Sequence, residues 1–304
     1  MITKARAMVM ASFAADALAL GGHWVYNTQV LAKKFGRLER LEAPLAKNYH
    51  GAKAAGDFTH YGDQTLVLLE SIAAAGGFEL SAFAEDWRAF MKTYDGYVDR
   101  ATEGTLANFE AGAGPQASGS ASTDLAGAVR IAPLVYRHRD DLDALVAAAR
   151  AQTAMTHNHP LVVAAAEFLA RTAWAVLGGS APVAAMQQAA AALEGAVELG
   201  QWLKAGGDSR SRETAEAIAD FGQACEIEMA FPAMVHLVAR YENDLKSALV
   251  ENVMAGGDSA GRGMAVGLIL GAWLGEAAIP GDWIDGLRQA EKITGLLAAL
   301  DPKG

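Results

Sequence analysis

Five polar clusters interrupt a chain that is otherwise apolar and rich in helix-forming residues. In Phe13-Ala14-Ala15-Asp16-Ala17-Leu18 a carboxylate sits among apolar neighbours, and Gly21-Gly22-His23-Trp24-Val25-Tyr26 follows. A carboxylate in such surroundings needs a cation or a set of hydrogen-bond donors. Capping of another helix is the plain alternative for Asp16. Gly56-Asp57-Phe58-Thr59-His60-Tyr61-Gly62-Asp63-Gln64-Thr65 is dense in oxygen and imidazole groups and leads into an apolar helix. Asp63 suits either a polar site or an N-cap there. Thr156-His157-Asn158-His159-Pro160 opens another helix; its i, i+2 histidines can serve a metal, but two histidines alone do not define one. Gly256-Gly257-Asp258-Ser259-Ala260-Gly261-Arg262-Gly263 pairs two glycines, which allow close backbone approach, with a helix start that attracts anions. A Gly C-cap followed by an Asp N-cap explains those glycines but not Arg262, one turn into an apolar helix. Arg130 lies between apolar residues in Asp124-Leu125-Ala126-Gly127-Ala128-Val129-Arg130-Ile131 and needs a carboxylate or phosphate. Asp16, Asp63, Asp258, Arg130 and Arg262 together point to one shared polar centre in which charges compensate one another.

The elements that would position these groups are helical throughout. Ala and Leu dominate, and no alternating strand pattern persists. The spacing predicts helices over Thr3–Leu20, Thr28–Phe35, Gln64–Ala75, Ser81–Glu103, Leu125–Ala132, Asp140–Thr153 and His159–Leu177. Further helices are predicted over Pro182–Lys204, Glu213–Ile227, Pro232–Tyr241, Leu245–Met254, Ala260–Glu276 and Trp283–Ala298. Ser81, Asp124 and Asp244 are expected as N-caps, and Gly206-Gly207 as a helix stop. The Gly-, Ser- and Ala-rich segment 111–123 reads as a mobile surface loop. No linker composition divides the chain, so the expectation is one all-α domain over residues 1–304.

Net charge is -10, with 35 acidic and 25 basic residues among 304, which argues against nucleic acid and anionic membranes as partners. The single Cys225 excludes an internal disulfide and a thiolate metal cluster, and fits a reducing, cytoplasmic setting. Residues 1–20 have the outline of a signal peptide, but Asp16 interrupts the apolar run and helical spacing continues. A buried mature helix is expected there. The nearly uncharged stretch 263–275 is shorter than the ~20 residues that a membrane span needs and is expected in the core.

The order and spacing of the five clusters resemble the ADP-ribosylglycohydrolase family, from Asp16 to Trp283. Asp16-Ala17-Leu18 is similar to the family's Gly-Asp-Ala-Leu-Gly motif, Thr156–Pro160 to its Ser-His-x-His-Pro motif, and Gly256–Ser259 to its Gly-Gly-Asp-Ser-Asp-Thr motif. The resemblance implies an orthogonal multi-helix bundle, a site for two Mg²⁺ ions, and cleavage of the glycosidic bond between ADP-ribose and an acceptor. The departures are at the metal motifs. The family's Thr-Asp-Asp-Thr is matched by Gly62-Asp63-Gln64-Thr65, or, in a second register, by a segment starting at Thr59. Ala260 and Gly261 replace an Asp and a Thr, and His23 replaces an acidic residue that faces substrate. Gly-Gly-His-Trp-Val-Tyr, Gly-Asp-Gln-Thr and Gly-Asp-Ser-Ala-Gly-Arg-Gly look most like the branch of the family that contains the J-type crystallins, which implies that the fold can also serve without evident catalysis.

With Asp63 and Asp258 alone retained as metal carboxylates, the resemblance implies one Mg²⁺ at most. It implies catalytic roles for Asp63, Asp258 and His23. Substrate contacts are expected from Asp16, Trp24, His157, Arg130, Gly256, Gly257, Ser259 and Arg262. The Arg262 guanidinium, four residues beyond Asp258, is expected to occupy part of the lost metal region and to pair with Asp258 or Asp63. Three functions follow: hydrolysis of an ADP-ribose-type glycosidic bond, a non-catalytic nucleotide-binding or crystallin-like role, and an altered glycosidase for another small molecule. The partner in the first case is a small-molecule or ADP-ribosylated substrate.

Overall fold

The computed structural model describes residues 2–301. Among them are seventeen α-helices and two 3-10 turns, and β-pairing is confined to isolated bridges. The centre is a pair of helices that are apolar on every side, α1 (Ile2–Leu20) and α15 (Ser259–Leu274). Their contact explains the glycines of α15. A Cβ on Gly267 would lie 2.5 Å from the Ala11 carbonyl oxygen, and one on Gly271 would lie 2.6 Å from the Ala11 Cβ. A Cβ on Gly263 would lie 2.9 Å from Asn252 Nδ2 and 3.6 Å from the Ala15 Cβ. The two helices run antiparallel, as Ser12 Oγ donating to Met264 O (3.2 Å) and Lys4 Nζ donating to Trp273 O (3.0 Å) also require.

Around this pair stand α3 (His60–Ala75), α9 (Pro160–Leu177), α13 (Ile227–Arg240) and α14 (Leu245–Met254), with the remaining helices outside them. One contiguous apolar core runs through them all. Helix α9 is long and apolar enough to cross a membrane, and 61% of it is buried inside the protein.

Several predicted helices are divided. The break that matters most splits 81–103 into α4 (Leu80–Met91) and α5 (Arg100–Glu110). Asp95-Gly96 turns the chain, and Asp99 restarts it as an N-cap, accepting from Thr102 N at 2.6 Å. The released segment carries Tyr94, Tyr97 and Asp99. The predicted 125–132 helix is two short ones, α6 (Ala126–Val129) and α7 (Ala132–Arg137), with Pro133 in the first turn of the second. Residues 182–204 likewise divide, into α10 (Pro182–Ala191) and α11 (Val197–Asp208). Gly206-Gly207 is no helix stop: both residues lie inside α11, where a Cβ on Gly206 would meet the Pro232 carbonyl oxygen at 2.5 Å. Pro232 itself lies within α13 rather than at its start, and Ser81 does not cap α4. The 111–123 segment is tied down, contrary to the mobile loop expected. Ser118 Oγ donates to Met155 O (2.8 Å), Ser120 N to Thr156 O (3.1 Å), and Asn158 N to Ser120 O (2.7 Å).

The α1–α15 contact yields a stability prediction. Gly267→Ala forces backbone apart and should cost about 1–3 kcal/mol in denaturant unfolding. Gly295→Ala, at a helical position with nothing near its missing Cβ, should instead gain about 0.5–1 kcal/mol. Equal effects at the two positions would show that the helices do not need this closeness.

Candidate functional site

Three helix ends meet at one end of the α1–α15 pair. The C-terminal turn of α1 carries Asp16, α15 begins at Asp258, and α3 begins at Thr59. Asp16 is fully buried and accepts from Thr59 N (2.8 Å) and Thr59 Oγ1 (2.6 Å). Thr59 Oγ1 accepts in turn from Tyr61 N (3.2 Å), so Asp16 fixes the N-cap of α3. Gly62 is required beside it, since a Cβ there would stand 2.4 Å from Asp16 Oδ2.

This cap decides which side chains of α3 face Asp258. Tyr61 reaches Asp258 and Asp63 does not, while His60 turns toward His23 and His50. Tyr61 Oη donates to Asp258 Oδ2 at 2.7 Å and lies 3.4 Å from Asp124 Oδ2. Asp258, Asp124 and Cys225 each bring one ligand-type atom within 4.8 Å of the other two. Asp258 caps α15 through Gly261 N (3.1 Å), and Asp124 accepts from Ala126 N (2.8 Å). Burial, and then the neighbouring Asp258 carboxylate, push the Asp124 carboxyl well above the usual range, so it keeps its proton. The same surroundings raise the Cys225 thiol, with burial the largest cause, which keeps it from being a thiolate.

Behind Asp258 lies a histidine cluster of His23, His50 and His60, all buried. His23 Nδ1 accepts from Ala260 N (3.4 Å) and is 3.9 Å from Asp258 Oδ1. His60 Nε2 is 3.2 Å from Asp99 Oδ2. Burial lowers His23 well below its ordinary value and brings His50 to about 2, so both rings are neutral at physiological pH. Trp24 stacks on His23 (centroids 4.4 Å apart) and on His50 (5.3 Å), and Tyr97 meets Trp24 edge-on at 4.8 Å. Trp24 has φ +60°, a strained conformation for a residue with a Cβ. Trp24 N donating to Gly257 O (2.8 Å) holds it there. A cleft of about 330 Å³ opens on the outer side, between Trp24–Asn27 and Leu45–Tyr49. A larger cavity, about 630 Å³, lies elsewhere, between α10, α11 and α13.

The other sequence candidates have internal partners. Asp63 binds Lys53 and accepts from Tyr94 Oη (2.6 Å). Burial raises its carboxyl, and Lys53 opposes that most strongly. Arg130 is buried and donates to Gln64 Oε1 and Thr156 Oγ1, and Thr156 Oγ1 is 2.9 Å from His157 Nδ1. Burial lowers Arg130 and brings His157 to about 3. Gly256 (φ +75°) and Gly257 (φ +72°) pack against residues 25 and 223. Gly257 N, Asp258 N and Ser259 N donate to Val25 O, Gln223 O and Gly257 O, so none is free for a phosphate.

Arg262 differs from expectation. It is buried, but it makes no ion pair with Asp258 or Asp63. Its guanidinium donates to Asn252 Oδ1 (3.1 Å), Gln223 O (3.3 Å) and Gly256 O (2.6 Å). The reason is position: carbonyls of the Gly–Gly turn lie nearer than either carboxylate. Burial brings its pKa down to about 10, which leaves it charged at neutral pH.

A magnesium pair requires oxygen ligands converging from several carboxylates. Asp63 and Asp258 share no hydrogen-bond partner, and Asp63 belongs to neither group of three metal-capable donors among the described residues. The donors that converge are imidazoles and the Asp124–Asp258–Cys225 group. The oxygen set present does not fit the magnesium centre. Tyr61, Asp99, Asp124, His50 and His60 form the site without having been singled out by sequence. His60 and Tyr61 follow the alternative Thr59 register, and the Asp99 N-cap was the available signal for that segment.

A family model described as ADP-ribosylglycohydrolase matches residues 1–303. Crystallin J1A of Tripedalia cystophora is 25% identical over 307 residues, covering 95% of this chain and 94% of the crystallin. A solved structure described as an ADP-ribosylglycohydrolase-related protein complex has a TM-score of 0.72 at 21% identity. That match covers 98% of this chain and 97% of the other, and establishes the fold.

The Asp16 cap has a pH signature. Burial pushes its carboxyl up to about 6, against the two hydrogen bonds from Thr59 that lower it. The folded state then holds this proton more tightly than the unfolded chain, so its contribution to stability falls as pH rises from about 4 through 6. Relative to Asp16→Asn, the native chain should lose about 3 kcal/mol of unfolding free energy between about pH 4 and 7. Denaturant titrations of both proteins at each pH check this, and a constant difference would refute it.

Proposed function

The chain belongs to the ADP-ribosylglycohydrolase family, and from that premise we propose that it hydrolyses a glycosidic bond in an ADP-ribose-like substrate through a carboxylate pair, Asp124 and Asp258. The observation that carries this reading is Tyr61 Oη, which donates to Asp258 and lies within reach of Asp124. Two carboxyl groups this close do not both ionise, and the environment divides their roles. Asp124, kept protonated, donates to the departing group as the glycosidic bond breaks. Asp258, with Tyr61 donating to one oxygen, attacks the sugar carbon as that bond breaks and forms a glycosyl ester; Asp124, its proton given up, then takes a proton from the water that hydrolyses the ester and frees Asp258. Asp124 is half-buried and links the pair to solvent, whereas Asp258 is enclosed. Trp24, beside the cleft, offers a ring face to a base or sugar.

In this reading Asp63 and Asp16 support the site rather than react. Asp16 sets the start of α3, and Asp63 anchors Lys53 and Tyr94 at its rim. Magnesium is not assigned a role, because Asp63 and Asp258 serve separate hydrogen-bond networks. Residues 1–304 act as one domain, since the carboxylate pair draws on residues from both halves of the chain.

A second reading, a crystallin-like structural role, has one observation in its favour. Arg130, Arg262 and the Gly256-Gly257 turn are all satisfied internally, which leaves none of them open to a phosphate.

Turnover separates the two. Incubation of the full chain with an ADP-ribosylated peptide should release ADP-ribose with and without EDTA. Asp124→Asn and Asp258→Asn should each lower kcat at least about 100-fold, as expected for loss of the general acid/base and of the nucleophile. Because Asp124 is raised, activity should persist above the ordinary carboxyl range and fall as pH rises past Asp124 deprotonation. No release by the native chain, with and without added Mg²⁺, would favour the structural reading.

A further inference from the structure

His23, His50 and His60 come from three separate segments, yet one ring nitrogen of each lies within 4.8 Å of the other two. Their exposures are 0%, 2% and 0%. His23 Nε2 and both nitrogens of His50 and of His60 have no hydrogen-bond partner. A buried donor or acceptor left without a partner forfeits its hydration with nothing in return. Phenylalanines would fill the same stacked space without that cost, so packing alone does not account for three imidazoles.

We propose that His23, His50 and His60 bind one borderline divalent transition-metal ion of the Zn²⁺ class. Imidazole nitrogen suits such ions, whereas Mg²⁺ requires oxygen. The ring nitrogens without a partner are the ligating atoms such an ion needs. In a tetrahedral site with bonds of about 2.1 Å, ligand nitrogens stand about 3.4 Å apart. The observed spacing therefore requires each nitrogen to move inward by less than about 1 Å, and the rings, inclined 23° to 48° to one another, must also turn to aim their lone pairs at one point.

The surroundings supply what metal-bound histidines need. Asp99 Oδ2 stands 3.2 Å from His60 Nε2, where a carboxylate can orient that ring on metal binding, and Thr102 N holds Asp99 in place. Asp258 Oδ1 stands 3.9 Å from His23 Nδ1. Metal binding at His23 Nε2 moves the ring proton to Nδ1, where it meets this carboxylate and replaces the long contact from Ala260 N. Trp24 and Tyr97 close the cluster toward solvent. Three protein nitrogens leave a fourth position for water or a substrate oxygen.

The inference does not depend on hydrolytic activity, and its test reads binding. Chelator-stripped, tag-free full chain is titrated with Co²⁺, followed by visible absorption, and with Zn²⁺ and Mg²⁺ by calorimetry. Expected are one Zn²⁺ per chain, an intense four-coordinate cobalt spectrum abolished by Zn²⁺, and no comparable Mg²⁺ binding. His50→Asn and His60→Asn should weaken Zn²⁺ at least about 100-fold, and Asp99→Asn about 10–100-fold. His138→Asn, away from the cluster, should leave it unchanged. Absence of saturable Zn²⁺ and Co²⁺ binding by the native chain overturns the proposal, as does a weak six-coordinate cobalt spectrum. These two results need no variant to fold. Undiminished binding in folded His50→Asn and His60→Asn also overturns it.

Discussion

Three glycines one turn apart on α15 let the backbone of α1 lie directly against it, and the polar centre is built outward from that contact. Gly267 and Gly271 seat the alanine side of α1, and the antiparallel register brings the Asp16 end of one helix beside the Asp258 end of the other. Gly263 leaves room for Asn252, whose side chain holds both Ser259 O (2.7 Å) and the Arg262 guanidinium. Arg262 then gathers the Gly256 and Gln223 carbonyls and shapes the Gly–Gly turn. That turn pairs with Trp24-Val25 and holds Trp24 at positive φ over the histidines. The route from glycine stripe to aromatic cover is a continuous chain of contacts.

Burying this many polar groups is tolerable because most are neutral or paired. His23 and His50 lose their protons, Asp124 keeps its own, and Asp16 is answered by Thr59. Asp63 has Lys53, and Arg262 has a ring of carbonyls with Asp258 nearby to favour its charge. The family resemblance balances clustered carboxylates with magnesium. Here Arg262 and Lys53 are fixed cations, placed too far from the Asp124–Asp258 pair to form ion pairs with it. That separation leaves the carboxylate pair to share protons through Tyr61 and leaves the adjoining imidazoles with free nitrogens.

The family and its all-α fold were readable from Asp16, Thr156–Pro160 and Gly256–Ser259, because short polar motifs at helix ends survive in order along the chain. Helix existence was equally legible, since Ala- and Leu-rich periodicity needs no long-range information. Helix division was less so: Asp95-Gly96 and Pro133 are local signals outweighed by the strong propensity on either side. The roles of individual charges were the least legible. Asp16 reads equally as ligand or cap, and only Thr59, 43 residues away, decides between them.

What the sequence determined by itself is a helical chain with charges that must compensate one another, because local propensity and the cost of an unpaired buried charge act on neighbouring residues. What tertiary structure alone decided is which charges meet. The Asp16 cap rotates the first turn of α3 so that Tyr61, rather than Asp63, meets Asp258. It also sets His60 beside His23 and His50, which no spacing along the chain brings together. Such convergence depends on helix ends packed from distant segments, and that information exists only once the backbone of α1 rests on the glycines of α15.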